Sequence, residues 1–392
     1  MDPLSPGFRV VCEAAPGGPR VGRLETPHGA LETPAFLPVG TYGAVRGLAP
    51  DELSAVGVQG VLANTYHLHL RPGEATVAAL GGLHGFMRWS GPILTDSGGF
   101  QIHSLDHLCE RSEAGVHFRN PWDGSRVFLD PERCIAIQES LGADLIVTLD
   151  EFEPISQEPA GDERSEPERE RGRASMQRTL RWAGRCQSAR QRQDQLLFGI
   201  VQGGGFEDLR RESAERTAEL GFDAFAIGGL GVGESPALRS RLLEAVLPAL
   251  PSAAPRYLMG LGMPGDLVEA VARGVDLFDC VIPTRHGRHG SVFTRTGRLN
   301  LRNARFREDP APIEEDCGCP ACRSYSRAYL RHLIDAKEML GPRLLSLHNL
   351  AFYMRLMREL REAVAEGRFE AWRAAWREGY SEPSSAATDS AA

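Results

Sequence analysis

The amino-acid sequence predicts an α/β chain folded as a (β/α)8 TIM barrel, with a zinc-binding subdomain inserted near the C-terminus. Three observations predict it: eight apolar runs of strand length, helical segments between them, and one dense cysteine cluster after the eighth run.

The runs lie at 36–40, 60–66, 92–97, 143–150, 196–202, 224–230, 255–260 and 277–284. They are nearly continuous in apolar residues rather than alternating, the pattern of parallel strands covered on both faces. Segments 50–57, 130–142, 205–221 and 235–250 carry helical patterning between them. Eight such strand–helix units point to a closed barrel rather than an open sheet. Residues 8–35 precede the first run and are rich in β-formers and turns, which predicts a small hairpin layer. Residues 103–128 hold a second hairpin, with Asp123-Gly124 as its turn. Residues 153–173 are dense in charge, proline and glycine and read as an exposed, mobile loop. The expected organisation is a single barrel domain over 1–375, including a zinc-binding insertion at about 300–350, and a disordered tail over 376–392.

The 392 residues suffice for one barrel with insertions. A hydrophobic fraction of 42% and a charged fraction of 24% belong to a water-soluble chain. No apolar stretch reaches the roughly 18–20 residues of a membrane span. The first residues lack the basic and apolar segments of a signal peptide. The expectation is a cytoplasmic protein with no membrane partner. The net charge of −8 argues against a chain that coats nucleic acid. Against that background, 285–307 holds seven arginines and no Asp or Glu. The planar guanidinium fork suits phosphate oxygens, although a solvated loop face fits the same stretch equally well.

Of the eight cysteines, Cys317, Cys319 and Cys322 cluster, and His348 follows in a segment of helical patterning. Three thiolates and one imidazole complete a tetrahedral zinc site and leave no position open, which makes the ion structural. The alternative, free cysteines beside a core histidine, fits such a dense C-x-C-x2-C pattern poorly.

In a barrel, chemistry gathers at the C-terminal ends of the strands. Asp96-Ser97-Gly98-Gly99 ends the third run, Asp150-Glu151 the fourth, Gln202-Gly203-Gly204 the fifth and Gly228-Gly229 the sixth, while Asp279 lies on the eighth. Glycines serve to turn the chain into the next helix, but that does not explain the acids. Two carboxylates facing one cavity, Asp96 and Asp279, allow double displacement at an anomeric carbon. Either could instead cap a helix. The convergence of both with Asp150 and Gln202 on one rim favours catalysis.

Longer motifs carry a resemblance. They are Asp96-Ser97-Gly98-Gly99-Phe100-Gln101, Gly199 to Gly204, Ala226 to Glu234, Tyr257 to Gly260, Phe278 to Arg285, and Gly287-Arg288-His289-Gly290, joined by the Cys3His set. From about residue 8 to about residue 375 the chain resembles the bacterial-type tRNA-guanine transglycosylases, or queuine tRNA-ribosyltransferases. The resemblance implies a pentosyltransferase that replaces guanine at the anticodon wobble position with 7-aminomethyl-7-deazaguanine, in queuosine biosynthesis. Its implied partners are tRNAs with GUN anticodons (Asp, Asn, His and Tyr type), a 7-deazaguanine base and a second copy in a homodimer, with one structural zinc per subunit. Asp279 is implied as the nucleophile at C1′ and Asp96 as the general acid/base.

By the same resemblance, Asp96, Ser97, Gly98, Gly99, Phe100, Asp150, Gln202, Gly229, Leu230, Tyr257 and Met259 surround the base. Asp150 would accept from N1–H and the exocyclic amine, Gln202 and the Gly229 amide would meet O6, and Phe100 and Tyr257 to Met259 would flank the ring. Gly260, Leu261, Gly262, Met263, Pro264, Gly265 and Asp266, with Thr284, Arg285, His286, Gly287 and Arg288, are implied beside the neighbouring nucleotides. The target base must leave its stack to enter such a pocket. Bacterial members commonly read Asp-Glu-Cys where this chain has Asp150-Glu151-Phe152, so Phe152 would reshape the wall near purine position 7. Val232, where queuine-using eukaryotic subunits carry glycine, favours the smaller base. A catalytically silent tRNA-binding subunit would lack the two acids. A nucleoside hydrolase has no use for the cysteine knuckle or the arginines. An archaeosine-type relative carries a further C-terminal RNA-binding domain, for which the residues after 375 are too few. A DNA-directed relative is the remaining alternative.

Overall fold

All eight apolar runs carry strands in the computed structural model, which describes residues 6–99, 109–155 and 165–381. β1 (Gly7–Glu13), β2 (Arg20–Thr26) and β3 (Gly29–Thr33) form an antiparallel sheet. β4 (Ala35–Pro38), β5 (Val61–Asn64) and β6 (Ile93–Asp96) begin the barrel. A second antiparallel sheet follows, of β7 (Cys109–Arg111), β8 (Val116–Arg119) and β9 (Arg126–Leu129). β10 (Leu145–Val147), β11 (Leu196–Val201), β12 (Ala224–Ile227), β13 (Arg256–Leu258) and β14 (Leu277–Cys280) complete the barrel. The hairpin of β15 (Ser291–Thr294) and β16 (Gly297–Asn300) then leads to the cysteines. The barrel strands pair in parallel in the order β4-β14-β13-β12-β11-β10-β6-β5. The ring closes where Val39 bridges Leu62 and the Gly40 amide donates to the Leu62 carbonyl.

Alternation along each strand decides what enters the barrel. Leu62, Leu94, Leu145, Val147, Phe198, Ile200, Ala224, Ala226, Tyr257 and Leu277 pack together as the interior. Their neighbours Ala63, Ile93, Ile146, Leu197, Val201, Phe225, Ile227, Leu258 and Phe278 pack outward against the helices. The same parity, carried one step further along each strand, turns Asn64, Asp96, Gln202 and Asp279 inward at the C-terminal rim. The apolar layers below keep water from the lower barrel, so these polar groups are confined to its mouth.

The expected hairpin layer at 8–35 is the β1–β3 sheet, and it plugs the opposite end. Leu24 and Leu31 join the interior cluster. The buried Arg20 guanidinium donates to both oxygens of Asp276 at 2.9 and 2.5 Å, just before β14. Just before β10, Asp144 gathers His28 Nδ1 at 2.7 Å, His84 Nε2 at 3.1 Å and the Ile93 amide at 2.8 Å. The two imidazoles stack with centroids 3.4 Å apart. Burial pushes the Asp144 carboxyl up, but these hydrogen bonds outweigh it and hold the group below its ordinary range. Both clusters sit on the face of a barrel that serves stability rather than chemistry.

The hairpin of β8 and β9 turns at Asp123-Gly124, where Gly124 has φ 73°; residues 103–108 lie outside the described residues. The loop expected over 153–173 is corrected in its second half. A helix runs over Glu166–Ala189, capped by Ser165 and Glu168 in a capping box with Pro167 in the first turn. Its charges are paired, Arg171 with Glu153 and Arg178 with Glu151, and residues 156–164 lie outside the description. The helix Phe369–Gly379 likewise runs past residue 375, where the tail was expected to start. Trp372, Trp376 and Tyr380 stack along one face of it, with centroids 5.5 and 4.7 Å apart, and Ser381 bridges Gly297. Residues 382–392 lie outside the described residues. No helix among the described residues is long and apolar enough to cross a membrane.

Candidate active site and metal centre

Asp279 lies one residue before the end of β14, with its carboxylate inside the barrel. Its Oδ1 accepts from the Tyr257 hydroxyl at 2.6 Å and from the Gly260 amide at 2.8 Å. These two donors fix the carboxylate plane through one oxygen. Among the described residues, Oδ2 receives no hydrogen bond. Tyr257 is wholly buried, and its hydroxyl anchors Asp279. Asp96, at the end of β6, accepts from the Asn64 side chain and, at 3.0 Å, from the Thr65 amide. Burial lifts Asp96 to about 7, with the charges of Asp279 and Asp150 adding to the rise and its two donors opposing it. Asp279 is also raised by burial, against the pull of Tyr257 and Gly260. Two acids therefore share one low-dielectric mouth, and one of them titrates near neutrality.

The fourth, fifth and sixth barrel strands supply the neighbouring polar edge. Asp150 accepts from the Gln202 amide nitrogen at 2.7 Å and from the Ser97 hydroxyl at 3.1 Å. Gly99 donates its amide to Ser97 Oγ at 3.2 Å. A Cβ on Gly99 would sit 2.4 Å from Asp150 Oδ1, so glycine is required there for close approach. Gly229 has φ +70°, and a Cβ on it would meet Gln202 Oε1 at 2.6 Å and both Arg210 and Phe152 at 3.2 Å. Gly98 backs onto Tyr66, Leu230 is buried, and Met259 packs against the barrel interior. Phe152 is buried, and it lines a narrow cleft with Gly99, Arg111, Val116, Asp150, Glu151 and Trp182. Val232 is exposed. Phe100 lies outside the described residues.

The rim residues divide. Arg285 is exposed and Arg288 partly so on the short helix Ile282–Arg288. Burial, Arg46 and then Arg285 depress the Arg288 guanidinium, which marks a cluster of three cations. Thr284 and Gly287 face the other way. A Cβ on Gly287 would lie 2.6 Å from the Ser346 amide, so this is where two helices touch. His286 lies against Phe293. Leu261 and Pro264 are buried, Gly262 accepts from the Tyr353 hydroxyl, and Met263 directly precedes the helix Pro264–Val271, whose first turn holds Gly265 and Asp266. Asp266 pairs with Arg239 at 2.5 Å. Part of the arginine stretch is engaged within the fold, Arg295 with Glu359 and Arg302 with the His289 carbonyl.

Cys317, Cys319, Cys322 and His348 come together in a buried cluster whose donor atoms all lie within 4.8 Å of one another. His348 Nδ1 is 3.7, 3.6 and 3.2 Å from the three sulfurs. Its Nε2 lies 2.8 Å from the Phe293 carbonyl, which takes the ring proton and leaves the Nδ1 lone pair facing the thiols. The Cys322 amide donates to Cys319 Sγ at 3.5 Å. This donor set suits a metal ion, and it pins the cysteine loop to the helix Leu340–Ala365.

A family model described as Queuine tRNA-ribosyltransferase matches residues 15–382. The chain belongs to the queuine tRNA-ribosyltransferase family. Proteins of that name from Thermus thermophilus and Thioalkalivibrio sulfidiphilus are 54% and 51% identical to it. The Thermus match covers 94% of this chain and 92% of the relative, and the Thioalkalivibrio match 91% and 93%. Another, from Symbiobacterium thermophilum, is 52% identical over 92% of this chain and 88% of the relative.

Within this family frame, sequence reasoning missed four contributors: Asn64 on Asp96, Arg46 beside Arg288, Arg210 behind Gly228 and Gly229, and Glu234. The Glu234 carboxylate accepts from the Gly231 amide at 2.6 Å and the Val232 amide at 3.1 Å. Arg210 lies six residues past the Gly199–Gly204 motif and Glu234 is the last residue of the Ala226–Glu234 motif, but nothing in their spacing tells of a backbone contact.

Proposed function

We propose that this chain is a pentosyltransferase that exchanges guanine at the anticodon wobble position of tRNA for 7-aminomethyl-7-deazaguanine, in queuosine biosynthesis. The observation that carries the reading is the pair of acids: Asp279 held through one oxygen by Tyr257 and Gly260, facing a mouth in which Asp96 titrates at about 7.

Asp279 attacks C1′ of the wobble nucleoside through its unpartnered oxygen. The C1′–N9 bond breaks, its electron pair passes into the purine, and Asp96 supplies the proton the departing base needs. The incoming base returns a proton to Asp96 as its N9 displaces Asp279. Two displacements restore the original configuration. An acid near neutrality suits a group that must give and take the same proton. The Asp150 carboxylate accepts from the N1–H and exocyclic amine of the base, while Gln202 and the Gly229 amide meet its carbonyl oxygen. Buried Phe152 narrows the wall where a larger substituent would go, which favours the aminomethyl base over queuine. Arg46, Arg285 and Arg288 form the cationic patch for phosphates beside the flipped nucleotide. The tRNAs served are those with GUN anticodons, and the working form is a homodimer.

The Cys3His donors fit zinc: three sulfurs, an imidazole with its second nitrogen committed to a carbonyl, and no open position. Bound there, zinc supplies cross-linking of the loop to the long helix and no chemistry at the sugar.

The test uses tRNA labelled with guanine at the wobble position. Label release that requires added 7-aminomethyl-7-deazaguanine, and is lost in Asp279→Asn, is expected. Release without an added base, or undiminished release by the variant, refutes the double displacement.

A further inference from the structure

Arg210 is the most deeply buried cation near the site. It lies in the first turn of the helix Glu207–Glu219 and has no exposure. Among the described residues it has no ion-pair partner, and every hydrogen bond it makes goes to a backbone carbonyl: Gly204 at 2.8 Å, Gly228 at 2.6 Å, Val201 at 3.3 Å and Gly229 at 3.3 Å. Burying an unpaired guanidinium is costly, and packing alone does not call for it. Burial pushes its pKa down only to about 10, so it stays charged at neutral pH.

The geometry of the peptide unit gives this contact a consequence. In a planar trans peptide, the carbonyl and the following N–H point in opposite directions. The Gly228 and Gly229 carbonyls are both drawn toward Arg210, so the Gly229 and Leu230 amides both point away from it. Among the described residues neither amide has an acceptor. Gly229 has φ +70°, and these glycines pack directly on Gln202, which reaches Asp150. Successive amides aimed one way make an anion-binding concavity, here backed by a fixed positive charge.

We infer that Arg210 is a positioning residue for base departure. It fastens two carbonyls outward and so aims the Gly229 and Leu230 amides together at the purine carbonyl oxygen. This rests on the base exchange proposed above. When the C1′–N9 electron pair enters the purine, part of the charge reaches that oxygen, and donors already in place stabilise it without reorganising. Lysine could not replace arginine here, because a single ammonium cannot span carbonyls from two strand ends.

The experiment follows guanine exchange in wobble-labelled tRNA by wild type, Arg210→Gln and Arg210→Lys, with folding checked by thermal melts. Guanine and 6-thioguanine serve as incoming bases, since the thiocarbonyl is the weaker acceptor. For Arg210→Gln, kcat is expected to fall by roughly 100-fold, as for one lost oxyanion donor, with KM for tRNA little changed. The preference for guanine over 6-thioguanine is expected to shrink by roughly tenfold, the worth of one hydrogen bond. Arg210→Lys should fall between, and it is read in the same way if Arg210→Gln does not fold. An unchanged preference, equal loss toward both bases, or failure of both variants to fold overturns the inference alone. Absence of exchange by the wild type overturns the proposed function and this inference with it.

Discussion

Replacing Asp96 by asparagine will strengthen the fold at alkaline pH while it stops base exchange. Burial is the main cause that lifts this carboxyl to about 7 from an ordinary 3.8. Between those values the unfolded chain has released its proton and the folded chain retains it, so rising pH disfavours the fold. At about 1.4 kcal/mol per pH unit, the penalty has an upper bound of ~4 kcal/mol at pH 8 and is ~2 kcal/mol at pH 5. Asparagine carries no such penalty. It does lose one hydrogen bond, because the Asn64 Nδ2 donor would face another amide nitrogen. Asn64 cannot simply flip, since its Oδ1 already accepts from the His67 amide at 2.9 Å. That loss costs about 1 kcal/mol at every pH. The stability advantage of the variant over wild type should therefore grow by ~2–3 kcal/mol from pH 5 to pH 8. Urea melts of both proteins across that range, followed by tryptophan fluorescence with zinc held constant, measure it directly. Exchange at neutral pH should drop by roughly 10²–10⁴, the usual worth of a general acid. An advantage that stays flat or shrinks with pH would mean that Asp96 titrates as an ordinary carboxylate, and the acid–base assignment would go with it.

Four further outcomes are expected. Asp144→Asn should cost about 1–3 kcal/mol at pH 7; because the folded Asp144 pKa is depressed, that contribution is present above the unfolded carboxylate value and lost on acidification through the folded one. The gap between wild type and variant should thus begin to narrow only as pH falls below about 4, and a gap that does not shrink on further acidification refutes this role for Asp144. Cys319→Ser should abolish zinc in the purified protein and speed hydrogen exchange over 301–350 while β10–β12 stay protected; retained zinc contradicts the cluster. Alanine at Arg46, Arg285 or Arg288 should raise KM for tRNA and reduce its salt dependence by about one phosphate contact each, whereas a fall in kcat alone would place these residues elsewhere in the mechanism. Asp150→Asn should move the alkaline limb of single-turnover base release to lower pH, and an unmoved limb would sever Asp150 from Asp96.

The barrel was legible because parallel strands buried on both faces must be apolar throughout, and Leu196–Val201 is buried at every position. The inward acids were legible as residues with no reason to end an apolar run. The Glu166–Ala189 helix was not, since its charge masked the Ser165-x-x-Glu168 cap and the Pro167 that announce a helix start. Thr284 and Gly287 were grouped with Arg285 and Arg288 because the motif is contiguous in sequence. On a helix, positions three apart share a face, so 284 and 287 meet the neighbouring helix while 285 and 288 meet solvent. Asn64 and Tyr257 act across 32 and 22 residues, contacts that exist only once β5 lies beside β6 and β13 beside β14. Local pattern cannot carry such information.

Closure of the ring also couples the two halves of the mouth. In the proposed exchange, the sugar side is Asp279 and Asp96, and the base side is Asp150, Gln202 and the amides that Arg210 turns inward. Asp150 is one of the charges that keep the Asp96 proton on, though a smaller one than Asp279. A purine that donates its N1–H and amine to Asp150 spreads that charge and weakens the push. Asp96 then becomes the stronger acid when a base is seated, which is when its proton is required. Attack by Asp279 acts in the same direction. Once its carboxylate is esterified to C1′ its charge is gone, and the larger electrostatic reason for Asp96 to hold a proton disappears with it. Departure of the base and discharge of the acid are thus driven by one event. The reverse displacement, which frees Asp279 as an anion, restores the affinity of Asp96 for the proton that the incoming base gives up.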